Sequence, residues 1–348
     1  MIRALVLALA VAACQPNDSF YATFAFDYSH PIALVHTFGG FLAPDALVVD
    51  RGGGLVGVMF DSSCGTVFAI APDGTMTTRY ALLASDGCGP QSLVEGADGT
   101  LYVGTLGGTV FRLSTGNVVT QLRTGQNDHV YGLVLAPDGT LFGAASGGIG
   151  INNVFRISPS GAVTNLYAFG DDIPFELTVW PNGDLYGVAI SGSGAHHGTV
   201  FALSPDGTLR TVHAFDGTDG ANPSWLVATA AGELWGTTLG GGAHGYGTVF
   251  RLAADETFQL MHSFEVIDGD SPDALIEGGD GSLYGVAQLG GDFGLGTLYR
   301  LEPDGSGTVL HSFAESEFGN QPRLLVRGIT PALFGTTIGP GVLFRFDL

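Results

Sequence analysis

Lysine is absent from the 348 residues; all 12 basic side chains are arginine, against 33 acids, for a formal charge of −21. Phosphate backbones are bound by basic faces, so nucleic acid is excluded as a partner. Charged residues make up only 13% of the chain and apolar ones 45%, the reverse of a disordered composition. The 56 glycines lack a three-residue period, which excludes collagen. No apolar run reaches the roughly 20 residues that a membrane-spanning helix needs. Neither a Gly-x-Ser-x-Gly nucleophile elbow nor a His-Glu-x-x-His zinc motif occurs. The length allows one large all-β domain or two ordinary domains.

Arg3, the apolar run from Ala4 to Ala13 and the small residues of Val11-Ala12-Ala13-Cys14 read as a secretion signal over residues 1–13, ending in a bacterial lipobox. Small side chains fit a peptidase cleft, and the Cys14 thiol accepts the lipid. An ordinary signal peptide with an incidental cysteine is the other reading. With a lipobox, residues 14–31 form a lipidated tether and the membrane is contacted through acyl chains only. Gln15 in the second mature position then points to the outer membrane of a Gram-negative envelope.

One pattern recurs along the rest of the chain: Pro-x-x-Leu, a turn, Leu-aromatic-Gly, a glycine-rich loop, Gly-Thr-Val-Phe, a Pro-Asp-Gly turn, and a strand ending in His-x-Phe. The aromatic of the third element falls at Phe68, Phe111, Phe155, Phe201, Phe250, Tyr299 and Phe344. Each unit holds four short β-rich runs, A to D, separated by turn chemistry such as Asp280-Gly281 and Asp304-Gly305. Runs such as Thr248-Val249-Phe250-Arg251-Leu252 place apolar residues on both strand faces, as in a sheet covered on both sides. Units of 40–50 residues with four strands are the signature of β-propeller blades.

The copy number predicts an all-β, seven-bladed β-propeller over residues 32–348. The last unit ends in its third strand, and Ile32–Phe38 (Ile-Ala-Leu-Val-His-Thr-Phe) matches the fourth strand of other units, such as Gly307–Phe313. Residues 32–38 are therefore expected to pair with 341–347 and close the ring.

Leu234-Trp235-Gly236-Thr237-Thr238, Gly220-Ala221-Asn222-Pro223, Gly247-Thr248-Val249-Phe250 and His262-Ser263-Phe264 carry a more specific likeness. The units resemble the GloVer tandem repeats of bacterial surface proteins, a family whose members carry different cell-surface anchors. The resemblance implies a propeller and a surface anchor, and brings no catalytic residues with it.

In a four-stranded blade the B–C and D–A loops share one face, and here they are the long, variable connections. That face collects acids and the histidines His129, His196, His197 and His244. Asp216 and Asp219, and Asp268 and Asp270, are the best local candidates for a calcium site, because hard cations need several oxygen ligands. Solvated turn residues are the plainer account, since no loop follows the twelve-position EF-hand pattern. A surface loop is likewise the plainer account of His196-His197. The histidines His36, His213, His262 and His311 recur at one position of the outer strand, which marks them as structural. Cys64 and Cys88 fall in a B–C and a D–A loop of the same face, where an exported protein is expected to join them as a disulfide.

Six A strands begin with proline, and the following residues differ: Asp45, Gln91, Phe175, Ser224, Asp273 and Arg323. These positions are expected to line the entrance of the central channel, the preferred place for a ligand. The leading functional reading is a monomeric, surface-anchored scaffold that binds a glycan, peptide or protein. A propeller hydrolase or lyase on the acidic face, with His129 or His197 as base, is the alternative.

Overall fold

Gly236 and Phe250 are directly paired across adjacent antiparallel strands, and a Cβ on Gly236 would lie 2.3 Å from the Phe250 ring. The two strongest elements of the repeat are thus one packing unit: the glycine makes room for the aromatic. The same relation holds at Gly57 and Phe68, Gly143 and Phe155, Gly187 and Phe201, Gly285 and Tyr299, and Gly335 and Phe344. Phe68, Phe111, Phe155, Phe201, Phe250, Tyr299 and Phe344 are all fully buried. Burying each ring contributes on the order of 1.5–3 kcal/mol.

The computed structural model describes residues 24–27, 32–39, 43–124, 128–147, 152–191, 196–315 and 318–348. The signal segment and Cys14 lie outside the described residues. Within them the chain forms seven antiparallel sheets of four consecutive-in-ring strands, one per repeat. Blade 5 shows the pattern, with strands Ala221–Ala228 (A), Leu234–Gly240 (B), Thr248–Leu252 (C) and Phe258–Ser263 (D). Blades 1 to 4 begin with strands Ala46–Val49, Pro90–Glu95, Asp128–Leu135 and Ile173–Val179. Blades 6 and 7 begin with Asp270–Glu277 and Asn320–Arg327.

Blade 7 takes its outer strand from the other end of the chain. Ile32–Thr37 pairs antiparallel with Val342–Asp347, from Ile32 opposite Phe346 to Thr37 opposite Val342. The Phe38 amide extends the ladder to the Gly341 carbonyl at 2.8 Å. Just upstream, Phe24–Phe26 adds a fifth, parallel strand to blade 6 along Gly307–Val309. Nothing in the repeat pattern announces this strand, because the segment carries none of the repeat motifs.

Neighbouring blades are joined by the phenylalanine that ends the His-x-Phe segment (Tyr-x-Phe at Phe169), which packs on the strand C aromatic of the next blade. Ring centroids lie 5.4 Å apart for Phe38 and Phe68, 4.8 Å for Phe169 and Phe201, and 5.3 Å for Phe215 and Phe250. Phe264 with Tyr299 (5.1 Å) and Phe313 with Phe344 (5.3 Å) continue the series. The repeated histidines set their rings edge-on against the same phenylalanines, as His262 does on Phe264 at 4.7 Å.

The loop ends are locked by a second contact between blades. Gly198, Gly247 and Gly296 have φ of 103°, 98° and 112°, and a Cβ there would lie 2.3–2.5 Å from Cδ of Pro223, Pro272 and Pro322 in the following blade. Only glycine fits both the backbone and the neighbour. Beside each contact a backbone amide crosses the junction: Asn222 to His197, Ser271 to Tyr246 and Gln321 to Leu295, at 2.8–2.9 Å. Between blades 1 and 2 the corresponding bond runs from Gly89 to the Cys64 carbonyl at 2.8 Å, and there Cys64 is also disulfide-bonded to Cys88.

Candidate ligand site at the mouth of the central channel

Each A strand meets the channel through its Pro-x-x-Leu segment. In blade 3 the segment reads Val130-Tyr131-Gly132-Leu133, so the missing proline conceals a seventh copy. In blades 2 to 7 the register of the A–B pair shifts within this segment, for example between Pro174 and Leu177 and between Pro272 and Leu275. Such a bulge re-aims the side chains it contains. The residues after the first position, Asp45, Gln91, Tyr131, Phe175, Ser224, Asp273 and Arg323, come together around one cavity of about 420 Å³. Glu176 and Gln288 also line it.

The cavity wall is chemically mixed. The Tyr131 and Phe175 rings stack at 4.8 Å with their planes 15° apart. Across the ring, the Gln288 amide donates to Asp273 Oδ2 at 2.9 Å, and the Phe60 amide donates to Asp45 Oδ2 at 3.0 Å. Arg323 lies 3.8 Å from Asp45 Oδ1. Burial raises the pKa of Asp45, against the pull of the Phe60 amide and Arg323. Burial likewise raises Asp273, opposed by its bond from Gln288 and by the Arg323 charge. Glu176 faces the lumen and is partly buried there. Desolvation, and then the Asp273 charge, push it up to about 8.

The remaining candidate residues are dispersed. His129 stands beside the cavity, with Nδ1 2.9 Å from the Tyr131 hydroxyl. His196 Nε2 is 3.1 Å from both Asp172 oxygens, His244 is 3.4 Å from Glu265, and His197 is exposed next to Gly217. Asp216 accepts from the Thr218 amide and hydroxyl at 2.8 and 2.7 Å. Asp219 accepts from the Asp216 amide and bonds His213 Nε2 at 2.7 Å. In the next blade Asp268 repeats the arrangement with the Glu265 amide (2.8 Å) and His262 Nε2 (3.0 Å). Asp270 accepts from the Ser271 hydroxyl at 2.9 Å. The Asp-Gly loops are thus tied to the recurring histidines. Among the described residues no three His, Cys, Asp or Glu side chains converge as a metal-holding group.

Tyr131, Glu176 and Gln288 are among the cavity residues that sequence reasoning misses. Aligning Val130-Tyr131-Gly132-Leu133 with the proline copies locates Tyr131. Glu176 was visible as the one acid at the third position of Pro-x-x-Leu. Gln288 projects from strand B and carried no repeat signal.

The fold and this mouth define a closed seven-bladed propeller with a single-file set of variable residues on a repeated frame. The chain belongs to the Gloeobacter/Verrucomicrobia repeat family, whose profile matches residues 173–348, from blade 4 to the end. No curated protein matches it in sequence. Among solved structures it is similar to a streptogramin B lyase, with a TM-score of 0.74 and 12% identity over 93% of this chain and 100% of the other. PorZ of Porphyromonas gingivalis, a surface component of the type-IX secretion system, gives 0.64 at 15% identity over 88% of this chain and 46% of its own. A Xanthomonas campestris gluconolactonase gives 0.52 at 16% identity over 96% and 99%. At such identities the likeness extends to the fold alone. Among the described residues no helix is long and apolar enough to cross a membrane.

Proposed function

We propose that this is an exported envelope lipoprotein, anchored through Cys14 in the outer membrane, whose propeller binds a glycan at the mouth of its central channel. One observation carries the reading. Seven copies of the same segment all keep the framing leucine, and six the framing proline, but they place six different kinds of side chain on one cavity. A frame alone does not call for that variety, whereas recognition of an asymmetric ligand does. The stacked Tyr131 and Phe175 offer an apolar surface for the C–H face of a sugar ring. Gln91, Gln288, Asp45 and Arg323 supply planar polar groups suited to paired hydroxyls.

Calorimetric titration of the mature domain against a panel of oligosaccharides tests the proposal. At least one is expected to bind, with Gln91→Ala and Gln288→Ala each weakening it about five- to tenfold, as lost hydrogen bonds do. An empty panel, or variants that bind like the parent, would count against it.

One feature favours the hydrolase or lyase reading: Glu176, held neutral at pH 7, faces the lumen with Asp273, and carboxyls pushed apart in pKa are how acid and base roles are divided. Turnover of a bound saccharide that is abolished by Glu176→Gln while binding persists would favour it.

A further inference from the structure

We infer that the ligand of the channel mouth is an amino saccharide, its cationic nitrogen received by Glu176 against the Tyr131–Phe175 stack. The inference rests on the glycan reading and adds to it the charge of the ligand.

Glu176 is not required by the repeat. Its counterparts in the other blades are Ala46, Ser92, Gly132, Trp225, Ala274 and Leu324, and none of them is ionisable. The side chain lines the cavity, is partly exposed to its lumen, and has no hydrogen-bond or ion-pair partner among the described residues. A partly desolvated carboxyl that faces a cavity without a protein partner is open to a group that arrives from outside. Gly132 makes the position tight: a Cβ there would lie 2.6 Å from the Phe175 carbonyl oxygen, so blade 3 presses directly on the strand that carries Glu176.

The surrounding charge has one sign in excess. Asp273 from blade 6 and Asp45 from blade 1 face the same lumen, as does Arg323 from blade 7, its one cation. Arg323 is already placed against Asp45 at 3.8 Å. Two aspartates and an ionisable Glu176 against one guanidinium leave a place for positive charge, and a neutral or anionic sugar leaves it unfilled. Phe175 adjoins Glu176 in sequence, and its ring stacks on Tyr131. Carboxyl and aromatic face together form an ammonium-receiving pair, the carboxylate by charge and the ring by its quadrupole. Because Glu176 is protonated in the empty site at pH 7, it gives up that proton when an ammonium group enters, and binding releases a proton to the buffer.

The test is calorimetry at pH 7 with a glucosamine tetramer, an N-acetylglucosamine tetramer and 1,5-diaminopentane. Parent protein, Glu176→Gln and Asp273→Asn are compared, each confirmed as folded by its melting curve. The glucosamine tetramer is expected to bind at least about tenfold more tightly than the acetylated one. Its binding heat should change between phosphate and Tris as a proton is released, and Glu176→Gln should remove both the preference and the release. Equal binding of the two tetramers, unaffected by Glu176→Gln, overturns the inference and leaves the glycan reading standing. Diaminopentane binding as tightly as the amino tetramer overturns the saccharide reading. Binding of none of the three overturns both.

Discussion

Phe215 ends the outer strand of blade 4, yet its ring lies 5.3 Å from that of Phe250 in the third strand of blade 5, at an interplanar angle of 64°. Both side chains are buried. Four other pairs repeat this contact around the ring, so closure is distributed over identical hydrophobic joints rather than concentrated in one.

Truncating one joint should therefore be felt globally. Phe215→Ala removes a buried ring between two blades that cannot collapse without moving both. The expected loss is about 3–5 kcal/mol, the range for large-to-small changes at buried phenylalanines. Denaturant unfolding of parent and variant measures it. A change below about 1 kcal/mol would show that the joints are loose and that blades are stabilised singly.

The first joint differs in being covalent. Cys64 and Cys88 are bonded across blades 1 and 2, 24 residues apart. Closing a loop of that length in the unfolded chain is worth about 3.5 kcal/mol in the chain-entropy account. Cys64→Ser with Cys88→Ser should lower the stability by about that amount, and dithiothreitol should lower the parent to the same level while leaving the variant unchanged. A parent indifferent to reductant would deny the bridge any part in stability.

Most of this frame is legible in the sequence for a physical reason. Gly236 and Phe250 are coupled by contact, as are Gly247 and Pro272, so a blade does not readily change one residue without the other, and each motif survives in most copies. The closing strand is legible on the same ground, because Ile32–Thr37 must satisfy the ladder that every outer strand satisfies. The site is less legible because it consists of the positions the frame leaves free. Asp45, Gln91, Asp273 and Arg323 were located by the prolines before them, and Tyr131 was hidden because Val130 replaces that proline. Asp219 and Asp268 carry a relation that composition does not announce. Acids that read as cation ligands are hydrogen-bonded to His213 and His262, a pairing visible only once the loop folds back on its strand.

Closure by the N-terminal strand makes its own prediction. A chain beginning at residue 43 lacks Ile32–Thr37 and leaves Val342–Asp347 as an unpaired edge. An exposed strand edge pairs with another chain. The shortened protein should melt lower and sediment as dimers or larger species, while a chain beginning at residue 24 should do neither. A monomeric, equally stable shortened protein would mean that blade 7 holds without its fourth strand.

Two partly buried groups should shape stability against pH from opposite sides. His311 is pushed down to about 4 by burial, so the folded state keeps it neutral where the unfolded chain protonates it. Its contribution is present above about 6.5 and is lost as pH falls toward 4. Glu176 has the reverse sign. Raised to about 8, it binds its proton more tightly when folded, so stability falls as pH rises from about 4.5 through 8 and is level beyond. The two together predict a maximum on the acid side of neutrality. Glu176→Gln keeps the shape and removes the ionisation, so it should match the parent near pH 4.5 and exceed it at pH 9, by about 3–5 kcal/mol at most. His311→Gln should flatten only the acid limb. Melting curves from pH 4 to 9 separate the two, and a Glu176→Gln advantage that is the same at every pH would show that the carboxyl is not desolvated in the folded channel.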